Sequence, residues 1–76
     1  MKTIGEILKE IRPEFDFDNS QDFIGDGMLD SLDIITLVSS LDQAYGISIA
    51  GTEIVPENFR NIAAIQRLVE RCATKL

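Results

Sequence analysis

The sequence predicts an all-α fold: a small bundle of three main helices plus one short helix, with a long first loop. Three observations carry this. Apolar residues recur with a helical period in three separate stretches, Pro13 and Gly46 stand where the first two stretches end, and the alternating Ile47-Ser48-Ile49 is too short for a strand. A chain of 76 residues has room for one domain, residues 1–76, with one core, and a chain of that size buries only about 60% of the surface that it exposes when unfolded.

The first helix is expected over residues 3–12. Ile4, Ile7, Leu8 and Ile11 form one stripe, Lys2, Glu6, Lys9, Glu10 and Arg12 cover the rest, and Pro13 stops the helix by forcing the residue before it out of helical geometry. Residues 13–30 then form a loop long enough to need its own packing, with Phe15, Phe17 and Phe23 as its anchors in the core. Within it, Asp16, Asp18, Ser20 and Asp22 imitate the start of a calcium loop. The sixth position is Gln21 in place of glycine and the twelfth is Gly27 in place of glutamate, so the turn and the strongest ligand are both missing.

The second helix follows the acidic, glycine-containing stretch Gly25-Asp26-Gly27-Met28-Leu29 and opens on Asp30-Ser31-Leu32-Asp33. Asp30 is the expected N-cap, Asp33 adds a carboxylate to the first turn, and the Ser31 hydroxyl points outward at the positive end of the helix. A phosphate esterified there lies beside unpaired N–H groups, although two neighbouring carboxylates offset part of the gain. Leu32, Ile35, Val38, Leu41 and Tyr45 are read as one face, widened by Ile34 and Leu37, and Gly46 as the stop. A helix so apolar is expected near the centre of the core, or else keeps apolar surface for a partner.

Residues 52–59 are expected to form a second loop with one helical turn, the short helix, capped by Thr52. Asn61 caps the closing helix, residues 62–74, with Ile62, Ile65, Leu68, Val69 and Cys72 inward and Arg60, Arg67, Glu70, Arg71 and Lys75 outward. On the buried stripe Cys72 reads as a small core residue and not a reactive thiol.

Composition excludes several chemistries. The chain has no His and a single Cys, so it holds no His-based triad or zinc site and no internal disulfide. No apolar run approaches the ~20 residues of a membrane span, and the N-terminus is amphipathic from the outset, unlike a signal peptide. The expectation is a soluble, cytoplasmic monomer. Net charge is −6, and residues 13–59 carry ten acidic residues with no Lys or Arg. Such a field repels nucleic acid and attracts basic protein surfaces.

Asp30-Ser31-Leu32, with Gly27 upstream and Ile34, Ile35, Leu37, Val38 and Leu41 downstream, resembles the attachment site of the acyl and peptidyl carrier proteins. The order of helix, long loop, serine-led helix, second loop and closing helix extends the resemblance over nearly the whole chain. It implies that Ser31 carries 4'-phosphopantetheine, loaded from coenzyme A by a phosphopantetheinyl transferase. The protein is then a carrier and not an enzyme, holding acyl groups as thioesters for the enzymes that load and transfer them. The serine-led helix is the family's docking element, and Asp26, Met28, Asp30, Leu32, Asp33, Ile34, Leu37 and Asp42 are the docking residues so implied. Fatty-acid carriers resemble one another in having several glutamates on this helix; here Thr36, Asp42, Gln43 and Ala44 stand in comparable places. That departure points to a specialised fatty-acid or polyketide-type pathway. The alternative is an aminoacyl, D-alanyl or peptidyl carrier loaded by an adenylating ligase, which the Ala50-Gly51 linker before Pro56 resembles. An unmodified adaptor and a divalent-cation binder using residues 16–22 are the competing classes.

Overall fold

Thr3 opens the first helix by accepting the Glu6 N–H on its hydroxyl at 3.2 Å, and the computed structural model describes the chain from this residue to Thr74. The helix, α1, spans Ile4–Ile11, and its last turn closes where the Arg12 N–H donates to the Leu8 carbonyl at 2.9 Å. Ile4, Ile7 and Leu8 are buried as their spacing requires. Lys2 and Lys75, both expected on outward faces, lie outside the described residues.

The long loop is built on Phe23. Its ring is fully buried and meets Phe17 edge-on at 5.0 Å, and Phe17 in turn meets Phe15 edge-on at 6.2 Å, so the three aromatic anchors form one edge-to-face cluster. The backbone of Phe23 is pinned on both sides: its N–H donates to the Arg60 carbonyl at 2.6 Å, and its carbonyl accepts the N–H groups of Met28 and Leu29 at 2.8 and 3.2 Å. A 3-10 turn, Phe17–Asn19, lies inside the loop. It rests on Asp16, whose carboxylate caps the Asp18 N–H and takes the Asn19 amide.

The second helix, α2, spans Ser31–Tyr45 and ends at Gly46, whose φ of 63° is the left-handed geometry that a helix terminus of this type requires. Its buried residues are Leu37, Val38 and Leu41, with Ile34, Ala44 and Tyr45 packed partly against the core. This corrects the expected inward face. Leu32 is 74% exposed and Ile35 60%, so the helix is turned by about half a residue, on the order of 50°, from the expected orientation. The inward set 34, 37, 38, 41, 45 is the closer match to a 3.6-residue period.

The second loop has two 3-10 turns, Gly51–Glu53 and Pro56–Asn58, in place of the single short helix expected. Thr52 lies inside the first turn, which has Ala50 as N-cap and no side-chain cap bond. Ile47 and Ile49 are buried around exposed Ser48, and no strand forms among the described residues. The third helix, α3, spans Ile62–Thr74 and is capped by Asn61 Oδ1, which accepts the Ala64 N–H at 2.8 Å. Ile65, Leu68, Val69 and Cys72 are buried, as read from the sequence. Glu53 ties the second loop to α3, its Oε2 accepting from Arg71 Nη2 at 2.9 Å and from Asn58 Nδ2 at 3.2 Å.

Candidate functional site

Ser31 is the first residue of α2 and is exposed. The turn before it is fixed by a capping box. Asp33 N–H donates to Asp30 Oδ1 at 2.9 Å, and Asp30 N–H donates to Asp33 Oδ2 at 3.2 Å, so each acid satisfies the other's backbone. Asp30 itself is extended, with φ −114° and ψ −174°, and its carbonyl already accepts the Ile34 N–H at 3.0 Å. Met28 and Leu29, buried and bonded to Phe23, deliver the chain to this box. Ser31 therefore stands on a helix end whose position is dictated by the core.

Arg12, read from the sequence as part of a solvated face, folds across this turn. Its Nε–H donates to Asp33 Oδ2 at 2.9 Å, Nη2 is 3.6 Å from Asp30 Oδ2, and Nη1 is 3.5 Å from Glu14 Oε2. The hydrogen bond to Asp33 holds the guanidinium more firmly protonated than usual. The Asp33 N–H, and after it the Arg12 charge, keep the Asp30 carboxyl below the usual carboxylate range. The acidic middle of the chain is thus not a continuous bare field, since Arg12 and Arg71 each reach into it.

The eight residues expected to dock partners fall into different settings. Asp26 and Asp30 are exposed, Asp26 accepting from Ser20 Oγ at 2.6 Å. Asp33 has only 13% of its side chain exposed and is engaged in the box and the Arg12 pair. Asp42 Oδ1 accepts the Ile49 N–H at 3.0 Å, which fastens the segment after α2, and this carboxylate is half-buried. Met28 and Leu37 are buried and Ile34 is half-buried against the core. Met28 and Leu37 therefore cannot present the apolar contacts expected of them, because their side chains fill the interior. Leu32 does face solvent, and Ile35, one turn further along the helix, joins it.

The oxygens of the calcium-like stretch are turned to local work. Asp16 caps its own turn, Ser20 Oγ donates to Asp26, and Asp22 Oδ1 accepts the Gly25 N–H at 3.0 Å. Among the described residues, no group of three or more His, Cys, Asp or Glu is placed to hold a metal ion. Nor is any helix among them long and apolar enough to cross a membrane.

Arg12 and Ile35 are the site residues that sequence reasoning did not place. Ile35 was recoverable from the stricter helical stripe. Arg12 was not, because its partner Asp33 lies 21 positions away and nothing in local periodicity links them.

A family model of the phosphopantetheine attachment site matches residues 1–69. No curated protein and no solved structure matches the chain.

Proposed function

Because the chain belongs to the phosphopantetheine-attachment family, whose members carry covalently attached 4'-phosphopantetheine, we propose that Ser31 is the residue that bears the arm and that this chain is an acyl carrier of a specialised fatty-acid or polyketide-type pathway. The observation that carries the reading is the exposure of Ser31 at the first position of α2, where a loading enzyme can reach its hydroxyl. The setting fits a phosphodiester: the first turn of a helix has N–H groups without intrahelical partners, and these favour an anion. When bound, the arm supplies a terminal thiol on which an acyl or aminoacyl group is held as a thioester.

The chain's own residues hold and present Ser31 and leave the proton transfer to the phosphopantetheinyl transferase. The chain has no His. Asp30, the carboxylate beside the serine, is held below its usual range, and an acid so readily ionised is a weak base. Tethering then raises the effective concentration of cargo at each acyl-handling enzyme. Exposed Leu32 and Ile35 offer apolar contact next to the arm, and Asp26 and Asp30 offer charge, so partners are read as engaging the start of α2. Loading from coenzyme A puts this work in the cytoplasm.

A second reading, an aminoacyl or D-alanyl carrier loaded by an adenylating ligase, is favoured by one observation. Ala50 and Gly51 follow Ile49, and Pro56 comes only at the second 3-10 turn of the loop. Incubation with coenzyme A and a phosphopantetheinyl transferase tests attachment: intact mass rises by one phosphopantetheinyl group in the wild type and not in Ser31→Ala. The mass of the protein recovered from its own cell separates the two cargo classes.

A further inference from the structure

Residues 13–59 contain no Lys or Arg, so the positive charge on the attachment turn has to come from elsewhere in the chain, and it comes from the end of α1. The Arg12 guanidinium approaches both acids of the capping box from outside. Asp33 Oδ2 takes its Nε–H at 2.9 Å while also accepting the Asp30 N–H at 3.2 Å. Asp30 Oδ2 faces Nη2 at 3.6 Å while Oδ1 accepts the Asp33 N–H at 2.9 Å. Ser31 lies in the chain between these two acids. The arginine is itself anchored, because the turn before it places Ile7 and Leu8 in the core. Its side chain is 36% exposed and that of Asp33 13%, so the pair is partly shielded from salt.

We propose that Arg12 is a positioning residue for the loading of Ser31, acting through the Asp30–Asp33 box and not on the hydroxyl itself. The proposal rests on the reading of Ser31 as the attachment residue. A planar fork can hold two carboxylates in a fixed relation, whereas a lysine ammonium supplies the same charge without that geometry. Geometry matters to a nucleophile that another enzyme must bring into line, since a displacement of about 1 Å can cost on the order of a hundredfold in rate. Charge acts elsewhere, mainly on how fast the two proteins meet.

Wild type, Arg12→Lys and Arg12→Gln are loaded from coenzyme A by a phosphopantetheinyl transferase at a temperature where circular dichroism gives all three the same helical signal. Intact mass follows the reaction, and kcat and KM for the carrier are read separately. The expected result is a kcat lowered roughly tenfold in Arg12→Lys with KM within about twofold of wild type, because charge is kept and geometry lost. Arg12→Gln should lose at least as much kcat and also show a steeper dependence on salt. A wild-type kcat in Arg12→Lys overturns the inference, as does a loss confined to KM, which makes Arg12 a source of charge alone. A wild type that gains no mass, or a Ser31→Ala variant that does gain it, removes the reading of Ser31 beneath the inference. Loading at Ser31 with equal kcat in all three proteins removes the inference and leaves that reading standing.

Discussion

Arg12 Nε and Asp33 Oδ2 meet at 2.9 Å across 21 positions of sequence, joining the C-terminal end of α1 to the first turn of α2. The same Asp33 oxygen serves the capping box, so one carboxylate closes the long loop and also orders the turn that carries Ser31. Substitutions here should separate fold from charge.

The pH dependence follows from Asp30, whose folded carboxyl is held below its ordinary value by the Asp33 N–H and by Arg12. A depressed carboxyl stabilises the fold in full above the unfolded value of about 4, and that contribution is lost as pH falls through the lower folded value. Asn is as good an N-cap but uncharged, so Asp30→Asn should melt below wild type at pH 6 and approach it as pH drops toward 2. Thermal melts at several pH values check this. A gap that widens on acidification contradicts the assignment.

Ser31→Ala should abolish attachment and change stability by no more than about 0.5 kcal/mol, because Asp30 is the cap and Ser31 is exposed. Urea melts and intact mass after incubation with the transferase supply the two readouts.

Phe23→Ala should be severe. The fully buried ring is lost from its edge-to-face contact with Phe17, and truncation of a buried Phe costs about 3–5 kcal/mol, against a total of about 5–15 kcal/mol for a typical domain. Its urea midpoint should fall sharply and loading should fall with it, since Phe23 holds Met28 and Leu29 just before the box.

Screening should raise the melting temperature. Net charge is −6, and Asp18, Asp22 and Asp26 lie close together in sequence at exposed positions of the long loop. Moderate salt or millimolar magnesium is expected to stabilise the protein, with calcium and magnesium acting alike. A sharp calcium-selective transition in a melting titration decides for a cation-binding loop instead.

Docking should divide along burial. Leu32→Ala and Ile35→Ala remove exposed side chains, so each should shift stability by less than about 0.5 kcal/mol while slowing acyl transfer by the natural loading enzyme. Asp42→Ala should do the reverse, costing about 1 kcal/mol through the lost bond to the Ile49 N–H with a smaller effect on transfer. If Asp42→Ala is much the worst in transfer at full helicity, docking rests on charge along α2.

The elements that the sequence made legible are those whose causes are local. Pro13, Gly46, Asp30 and Asn61 act within a few residues, and the ends of α1, α2 and α3 fall where these residues place them. The aromatic anchors were legible for the same reason, since a long loop in a small domain must bury something. The rotation of α2 was legible only in part: Val38, Leu41 and Tyr45 belong to both of its overlapping apolar stripes, and the stricter 3.6-residue period favours Ile34 and Leu37, which pack inward, over Leu32 and Ile35, which face solvent. The roles of Asp33 and Asp42 were hidden likewise, because a carboxylate looks the same in sequence whether it faces water or an N–H seven positions on.

The capping box fixes the centre of a search. A tether rooted in a mobile loop adds the wandering of its base to its own length, and the cargo thins out over the larger volume. Ser31 is instead the first residue of a helix, behind a turn bonded on both sides and tied to α1. For an arm rooted there, the reach of the cargo is set by the arm alone, and partner enzymes meet it within a sphere whose centre does not drift.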